Sequence, residues 1–453
     1  MNWLKKQSMV KPNKMFINEL TFLEVYERVA DLACRLNAYV KDQTRVALYA
    51  NNSEEMALFF LALLSTEREV LMLNTRLTNE EMTKQLKVLG IEVAFSQDDT
   101  FISFNEVLRN GVREELPLAG EFKPEQIAVI MNTSATSGEF KSVPLRWKQF
   151  DAHVQASQKS LGVAEEDNWL LVLPMYHIGG LTILLRSLYN GTRITLMEKF
   201  DQEKMLKLIE GAVVNMISVV PTMFNRIINR IEEHRLRVVL VGGEFIPRPL
   251  VEKCLKKSIP IYKTYGMTET TSQSTTFSVL EYPHKWDSVG LPLEYVKICI
   301  EDPDEDGIGK VLLQSPMLMD GYIGQEPIDG SFNTEDIGYI DEDGFLYILD
   351  RRENIIISGG ENIYPEEIEN VLYAHPGISE CAIVGKKDAK WGQVPVLFVV
   401  SSLGEDIIFD YLVERISRYK LPQKIYFVDE LPKNSSGKIL KKDLAKRCVD
   451  RKN

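Results

Sequence analysis

Five short segments carry residue types that could do chemistry. The run Asn132–Gly138, followed by Glu139 and Lys141, ends an apolar stretch, Ile127–Met131, with hydroxyls and a glycine. Backbone N–H groups and hydroxyls at the end of a strand can hold a phosphate. No G-x-x-x-x-G-K-[ST] is present, however, and a polar surface turn fits the same residues. Leu173–Gly180 puts His177 just before Gly179 and Gly180, at a strand's carboxyl end, where open α/β sheets keep their ligands; a structural histidine is the alternative. Thr264–Glu269 offers a ring (Tyr265), a glycine (Gly266), a hydroxyl (Thr268) and a carboxylate (Glu269). That set could stack a base, bind a phosphate and hold Mg²⁺, or start a helix with Thr268 as its cap. Asn333–Gly338 and Asp350–Arg352 bring Asp336 and Arg351, a carboxylate that can take two vicinal hydroxyls and a cation to assist it, although surface turns look the same. Leu431–Ile439 carries Lys438 after Ser435, Ser436 and Gly437 in a basic tail. A lysine on such a loop can swing onto an anion, whereas most lysines stay solvated.

The elements that must position these residues follow from periodicity. Short Val/Ile/Leu-rich runs (Arg45–Tyr49, Glu69–Leu73, Glu92–Phe95, Ile127–Met131, Trp169–Leu173, Met216–Val220, Arg237–Val241) alternate with helical patterns such as Asn79–Leu89 and Gln202–Leu208. This is the pattern of layered α/β structure with parallel strands. From Tyr295 the pattern turns strand-rich, so a β-rich subdomain over about 285–350 closes a large domain spanning 1–350. A small α+β domain follows over 351–453, with a strand at Ile355–Ile357, a Gly359–Gly360 turn and a helix opened by Pro365. Further strands are expected at Ala382–Val384 and Val394–Val400, and a helix at Ile407–Ile416.

Composition narrows the function classes. The chain has 453 residues, 45% hydrophobic and 26% charged, which excludes a disordered or collagen-like protein. Its 53 Lys+Arg against 65 Asp+Glu give a net charge of −12, which argues against nucleic acid as a partner. The five cysteines are scattered without a C-x-x-C, as expected of thiols in a reducing cytoplasm rather than of a disulfide frame or zinc site. The basic start has no apolar core of a signal peptide, and the run Met56–Leu64 is too short to span a bilayer and reads as a buried helix. Charge is uneven: residues 351–453 hold 17 Lys+Arg and 15 Asp+Glu, net +2, which leaves net −14 on residues 1–350.

Together the five segments resemble the adenylate-forming superfamily of acyl-CoA synthetases, adenylation domains and luciferases. Its T-S-G-T-T-G-x-P-K-G corresponds to Thr133–Ser142, its Y-G-M-T-E to Tyr265–Glu269, its T-G-D to Thr334–Asp336, its G-R-x-K-D to Asp350–Asn354 and its P-x-x-x-x-G-K to Pro432–Lys438. Ile357–Pro365 also matches, and the resemblance covers essentially the whole chain. The first loop departs at Ala135, Glu139, Phe140 and Ser142, so it is read as working but detuned; Ala135 would restrict a positive φ if one is required there. Within the superfamily the strings Asn168–Leu170, Pro174–Gly180, Leu184–Arg186, Thr268–Gln273 and Trp391–Pro395 look most like the o-succinylbenzoate–CoA ligases of menaquinone biosynthesis.

The resemblance implies an α/β fold with a mobile C-terminal lid, and a reaction in two halves. A carboxylate first attacks the α-phosphate of ATP; CoA thiol then displaces AMP from the acyl-adenylate. ATP, Mg²⁺ and CoA are the implied small molecules, in the cytoplasm, with no membrane span and a homo-oligomer left open. Thr133, Ser134, Thr136, Ser137, Gly138 and Lys141 are expected on the β- and γ-phosphates, Glu269 on Mg²⁺ and Thr268 on the α-phosphate. Tyr265 and Gly266, with Gly243 and Glu244, are expected around adenine, and Asp336 with Arg351 on the ribose. Lys438 would bridge the carboxylate and the α-phosphate, His177 would line and gate the acyl pocket, and Gly359–Gly360 would meet CoA after rotation about a hinge near Glu353. The second carboxylate of o-succinylbenzoate needs a partner; Arg186 is one candidate and Thr271, Ser272 and Gln273 are others, with a surface ion pair the preferred alternative for Arg186. Two readings compete: a ligase for another aryl or medium-chain acid, and a nucleotide-binding homologue without catalysis.

Overall fold

The strands predicted from Val/Ile/Leu runs assemble into two α/β sheets in the computed structural model, which describes residues 2–114, 116, 120–134, 140–351, 354–358, 361–388, 390–434 and 437–450. The first sheet runs Ile102–Ser103, Ala94–Ser96, Arg45–Tyr49, Glu69–Leu73, Ile127–Ser134, Phe140–Arg146 and is parallel except for its last strand. The second has nine strands, with Asn168–Leu171, Met216–Val219, Val238–Val241 and Ile261–Tyr265 as a central parallel block. Strands buried on both faces read as continuous apolar runs, which is why they were visible without alternation.

The helices begin and end where local chemistry dictates. Asn79–Leu89 starts at a capping box between Thr78 and Glu81 and stops at Gly90, whose φ is +63°. Glu54–Ser65 starts on Ser53, which accepts from the Met56 N–H, and every residue from Met56 to Ser65 is buried. It belongs to a core that joins both sheets, including Val46, Val129, Trp169 and Leu240. Separate apolar clusters cover their outer faces, one around Ile217 and Ile261 and one around Leu71 and Ile130. No helix among the described residues is long and apolar enough to cross a membrane.

A four-stranded antiparallel sheet follows, Lys297–Glu301, Gly309–Gln314, Phe332–Ile340 and Leu346–Arg351. The C-terminal part is a five-stranded sheet whose two faces carry different helices. Pro365–Tyr373 and Glu405–Val413 pack Ile368, Leu372, Ile408 and Leu412 on one side, and Lys441–Asp450 packs Leu444 and Cys448 on the other. The expected strands there are longer than their apolar centres, Ile378–Asp388 and Gly392–Ser401, because a long antiparallel ladder carries their polar ends.

One ion pair ties this small unit together. Lys441 Nζ lies 2.8 Å from Glu369, which also accepts from the Ile383 N–H at 2.7 Å on an edge strand. Both side chains are largely buried, at 18% and 6% exposure, so removing one strands the other's charge. Lys441→Met should therefore lower the stability of the C-terminal unit by about 3 kcal/mol, seen as a lower urea midpoint for that unit. An unchanged midpoint would show the pair to be dispensable.

Candidate functional site

The carboxyl ends of Val238–Val241 and Ile261–Tyr265 open onto a cleft of about 1510 Å³ whose far wall is the C-terminal unit. Gly243, Glu244, Tyr265, Gly266, Asp336 and Lys438 all line it. Five expected residues from three distant motifs and one from the tail thus meet in one place. Gly266 has no alternative: a Cβ there would sit 1.6 Å from the Ser272 carbonyl oxygen, because the chain doubles back beneath it.

Tyr265 reaches across the sheets. Its hydroxyl donates to Asp336 Oδ2 at 2.5 Å, fixing the ring's plane against the cleft. Asp336 is only 3% exposed and sits within a strand, not in the surface turn that the sequence also allowed. Its backbone N–H donates to Thr334 Oγ1, and Thr334 donates in turn to the Val311 carbonyl. Glu335, between them, adopts φ +63° and the ladder shifts register just beyond, which turns Asp336 inward. Arg351 is the cross-strand partner of Asp336 in backbone register, so the expected pair does share one edge; the Arg351 side chain is outside the described residues.

The first and third motifs are joined by a residue with no sequence signal. Ile127–Ser134 and Phe140–Arg146 form a hairpin with Thr133 opposite Lys141. Lys141 Nζ lies 4.8 Å from the centre of the Tyr322 ring, and the Tyr322 hydroxyl donates to Glu269 Oε1 at 2.8 Å. Tyr322 therefore links the lysine of one motif to the carboxylate of the other, and it lies in no recognisable motif. Ser142, a departure from the family pattern, donates to Asn132 Oδ1 at 2.6 Å and so braces the hairpin. The tip of the loop, Ala135, Thr136, Ser137, Gly138 and Glu139, lies outside the described residues, as does the Ser134 side chain.

Thr268 is not a helix cap. Thr268–Thr270 is a single 3₁₀ turn with Met267 at the cap position, too tight to continue once Thr271 turns to φ +56°. Both Thr268 and Glu269 are half-buried. Among the described residues no group of three or more His, Cys, Asp or Glu could cage a metal. A single carboxylate among hydroxyls suits Mg²⁺, which keeps waters and arrives on phosphate oxygens rather than needing an all-protein cage. Glu269, with Thr133 and Thr268, fits that requirement.

On the tail, Gly437 packs so closely on the large domain that a Cβ would lie 3.0 Å from Thr222 Oγ1. The Lys438 N–H donates to Asn434 Oδ1 at 2.8 Å, and Asn434 returns a bond to the Lys438 carbonyl. Glu244 faces these cations: burial pushes its carboxyl up to about 8, while Lys438 and Lys433 act in the opposite direction. Its Oε1 is buried and has no hydrogen-bond partner among the described residues.

The expected acyl residues do not line this cleft. His177 precedes the helix Ile178–Asn190, and a Cβ on Gly180 would meet the Pro174 carbonyl at 2.2 Å, which forces glycine at that turn. Arg186 follows nine residues later, about 13 Å along the helix. It is not a surface ion pair: it is 2% exposed and lies in no salt bridge among the described residues. Its guanidinium sits 4.3 Å from the Trp169 ring and donates to Gln273 Oε1 at 2.5 Å and to the Thr182 carbonyl at 3.1 Å. Ser157 donates to the same Gln273 oxygen, and His153 beside them is wholly buried, with neither ring nitrogen bonded among the described residues. Thr271 donates to the Met317 carbonyl at 2.7 Å, and Ser272 is held at φ +96°. Sequence reading names Arg186 and Gln273 as candidates, which the structure brings together, but does not name His153 and Ser157, whose helix presents them as ordinary core spacing. Gly359, Gly360 and Glu353 lie outside the described residues.

This geometry belongs to a known class. Residues 4–323 match the AMP-binding enzyme family and residues 367–438 its C-terminal domain, and the chain belongs to that family. It is 50% identical to the 2-succinylbenzoate–CoA ligase of Lactococcus lactis over 450 residues, covering 98% of this chain and 100% of that one. Among solved structures, o-succinylbenzoate CoA synthetase from Bacillus subtilis in complex with the acyl-adenylate superposes with a TM-score of 0.91 at 32% identity, covering 98% and 97% of the two chains. The same protein with ATP and magnesium also gives 0.91, at 98% and 99% coverage. A double mutant bound to a CoA product analogue gives 0.74 at 98% and 97% coverage.

His177 should titrate far from the usual histidine range. Burial and then Arg76 pull it down to about 4, so it is neutral at pH 7. Because its folded value lies below its unfolded one, its contribution to stability is complete above about pH 6.5 and is lost as pH falls toward 4. An NMR titration should find its ring unchanged between pH 8 and pH 5.5; a midpoint near 6.5 would contradict the burial.

Proposed function

We propose that this protein is an AMP-forming acid–thiol ligase that converts 2-succinylbenzoate to its CoA thioester in menaquinone biosynthesis, in the cytoplasm. What supports the reading is Lys438, across one cleft from Tyr265 and Asp336, in a chain aligned end to end with a 2-succinylbenzoate–CoA ligase at 50% identity. The substrates are the acid, ATP with Mg²⁺, and CoA.

In the first half-reaction a carboxylate oxygen bonds to the α-phosphorus and the bond to pyrophosphate breaks. Two anions must approach, so positioning and charge stabilisation are what the protein supplies. Lys438 bridges the carboxylate and the α-phosphate. Thr133, Ser134, Thr136, Ser137, Gly138 and Lys141 hold the outer phosphates, Thr268 holds the α-phosphate, and Glu269 holds Mg²⁺ with its orientation set by Tyr322. Tyr265 stacks on adenine beside Gly243 and Gly266, and Asp336 and Arg351 take the ribose. In the second half-reaction the CoA sulfur bonds to the acyl carbon, AMP leaves and the thiol proton goes to solvent. The TM-scores of 0.91 and 0.74 against one relative in two liganded states support a rigid rotation of the small domain, boundary at 351 and hinge near Glu353, with the described arrangement on the adenylating side. Rotation withdraws Lys438 and brings Gly359–Gly360 to CoA.

Arg186 supplies the counter-charge for the substrate's ring carboxylate. A buried guanidinium without an anion is costly, and burial alone brings it down to about 9. Gln273 and Ser157 hold it in place, and His177 lines the path of the succinyl chain.

Two experiments test this. Lys438→Ala should lose at least 100-fold in 2-succinylbenzoate-dependent pyrophosphate release while still forming thioester from supplied acyl-adenylate; equal loss in both halves would refute its role. Arg186→Ala should weaken use of 2-succinylbenzoate by ~2–4 kcal/mol in kcat/KM, yet barely change use of 3-benzoylpropionate, which lacks the ring carboxylate. Equal losses on both acids would remove Arg186 from recognition, and preference for an unrelated acid across a panel would overturn the substrate assignment.

A further inference from the structure

Glu380 lies in none of the five motif segments, yet it lines the cleft from the strand Ile378–Asp388. Its Oε1 accepts from Lys433 Nζ, and its Oε2 accepts from the Leu431 N–H at 3.4 Å. Lys433 stands in the closing motif, five residues before Lys438. The Lys433 and Glu380 side chains are 22% and 30% exposed. An ion pair that open to water contributes little to stability, so its contribution lies in geometry.

The pair holds one stem of a closed turn. Lys433 bridges to Ile439, and the Leu440 N–H donates to the Pro432 carbonyl at 2.8 Å. Within that closure the Asn434 side chain accepts from the Lys438 N–H, and the Asn434 N–H donates to the Lys438 carbonyl, each at 2.8 Å. The Gly437 N–H donates to the Asn434 carbonyl at 3.1 Å. These bonds fix Lys438 relative to its own turn, but not the turn relative to the cleft. That second task falls to the two stems. The stem after the turn runs into the helix Lys441–Asp450, which the Lys441–Glu369 pair ties to the helix Pro365–Tyr373. The stem before it, Leu431 to Lys433, is tied by Glu380 to the long ladder between Ile378–Asp388 and Gly392–Ser401.

We propose that Glu380 is a positioning residue for the first half-reaction: through Lys433 it sets the direction in which the turn presents Lys438 to the cleft. This rests on the reading of Lys438 as the group that bridges the carboxylate and the α-phosphate. Displacing such a group by about 1 Å can cost on the order of 100-fold in rate, and a stem released from Glu380 can swing that far. Lys438 leaves the site before thioester formation, so Glu380 has no part in the second half-reaction. Its effect is confined to one half and vanishes when Lys438 itself is removed.

The test measures the two half-reactions separately in the wild type, E380L, K433M, the charge swap E380K/K433E, K438A and E380L/K438A. The first half is followed as ATP–pyrophosphate exchange with whichever acid of a panel the wild type activates, and the second as thioester formation from the supplied adenylate of that acid. E380L and K433M should each lose about tenfold or more in the rate of exchange and keep thioester formation close to the wild-type rate. The charge swap should recover most of that loss, and E380L should cost nothing further in the K438A background. Exchange by E380L at the wild-type rate would overturn the proposal. So would equal loss in both halves, failure of the swap to restore exchange, or a further loss on top of K438A, since these are the marks of a merely structural pair. A wild type that activates a different acid overturns the substrate assignment and leaves this inference standing, whereas one that activates no acid overturns the proposed reaction and this role together.

Discussion

Everything in this structure answers to one electrostatic constraint. A carboxylate and a triphosphate must touch inside a large domain whose own net charge is −14, and Coulomb repulsion between unit charges at 4 Å is about 4 kcal/mol even at an effective dielectric of 20. The large domain cannot meet this with a basic surface. In the proposed reading it uses hydroxyls, backbone groups, a few cations held in place by neighbours, and a lysine carried on the C-terminal unit. Lys141 stays above the Tyr322 ring, and that ring's hydroxyl aims Glu269, so the cation and the carboxylate that would compete for each other are kept apart by an aromatic spacer. Lys438 arrives from the C-terminal unit, whose net charge is +2.

If the C-terminal unit rotates as proposed, a second demand follows: the cleft must tolerate the arrival and departure of its charge. Glu244 meets it by being a carboxyl that burial holds largely protonated near neutrality. A permanently ionised carboxylate at that position would form a tight pair with Lys438 and compete with substrate. A carboxyl that burial holds at about 8, even with Lys438 and Lys433 pulling it down, does not compete in this way. The lid's own wall follows the same logic. Glu366, Glu369 and Lys441 all line the cleft, and burial raises both carboxyls, Glu366 most strongly with Asp350 facing it. The fixed pair Lys441–Glu369 supplies rigidity, and Glu366 keeps the approaching surfaces from carrying a surplus of negative charge.

Sequence reading recovered what depends on short-range chemistry. Asn79–Leu89 was legible to the residue because a capping box and a glycine mark its ends, and the parallel strands were legible because burial on both faces makes them continuously apolar. The motif residues Tyr265, Asp336 and Lys438 were legible as types, and the cleft unites them. What failed was anything set by packing across elements. Arg186 is a candidate in the sequence, but its burial is not legible there and a surface ion pair is the preferred reading; only the approach of Trp169 and Gln273 makes it a buried charge. Tyr322 lies between strands in an unremarkable loop and acquires meaning from Lys141 and Glu269, which are 128 residues apart. Thr268 has the residue type of a cap, but the return of the chain under Gly266 leaves room for one tight turn and no helix.

The polar group around Arg186 shows why such residues resist sequence reading and why they are kept. An arginine, a histidine, a glutamine and a serine buried together contribute less to stability than apolar side chains of the same volume would. His153 carries this furthest: with both nitrogens unbonded among the described residues and a guanidinium nearby, it is held neutral by burial and then by repulsion from Arg186. A fold under selection for stability alone would replace this group with leucine and valine. Its persistence in the core is explained if the missing anion is the substrate's, because one carboxylate entering beside Arg186 would complete the charge pair and offer His153 and Ser157 an acceptor. The cost is then carried by the empty enzyme and recovered on binding, which makes an acid lacking that second carboxylate a poor ligand for a site the fold has already strained to build.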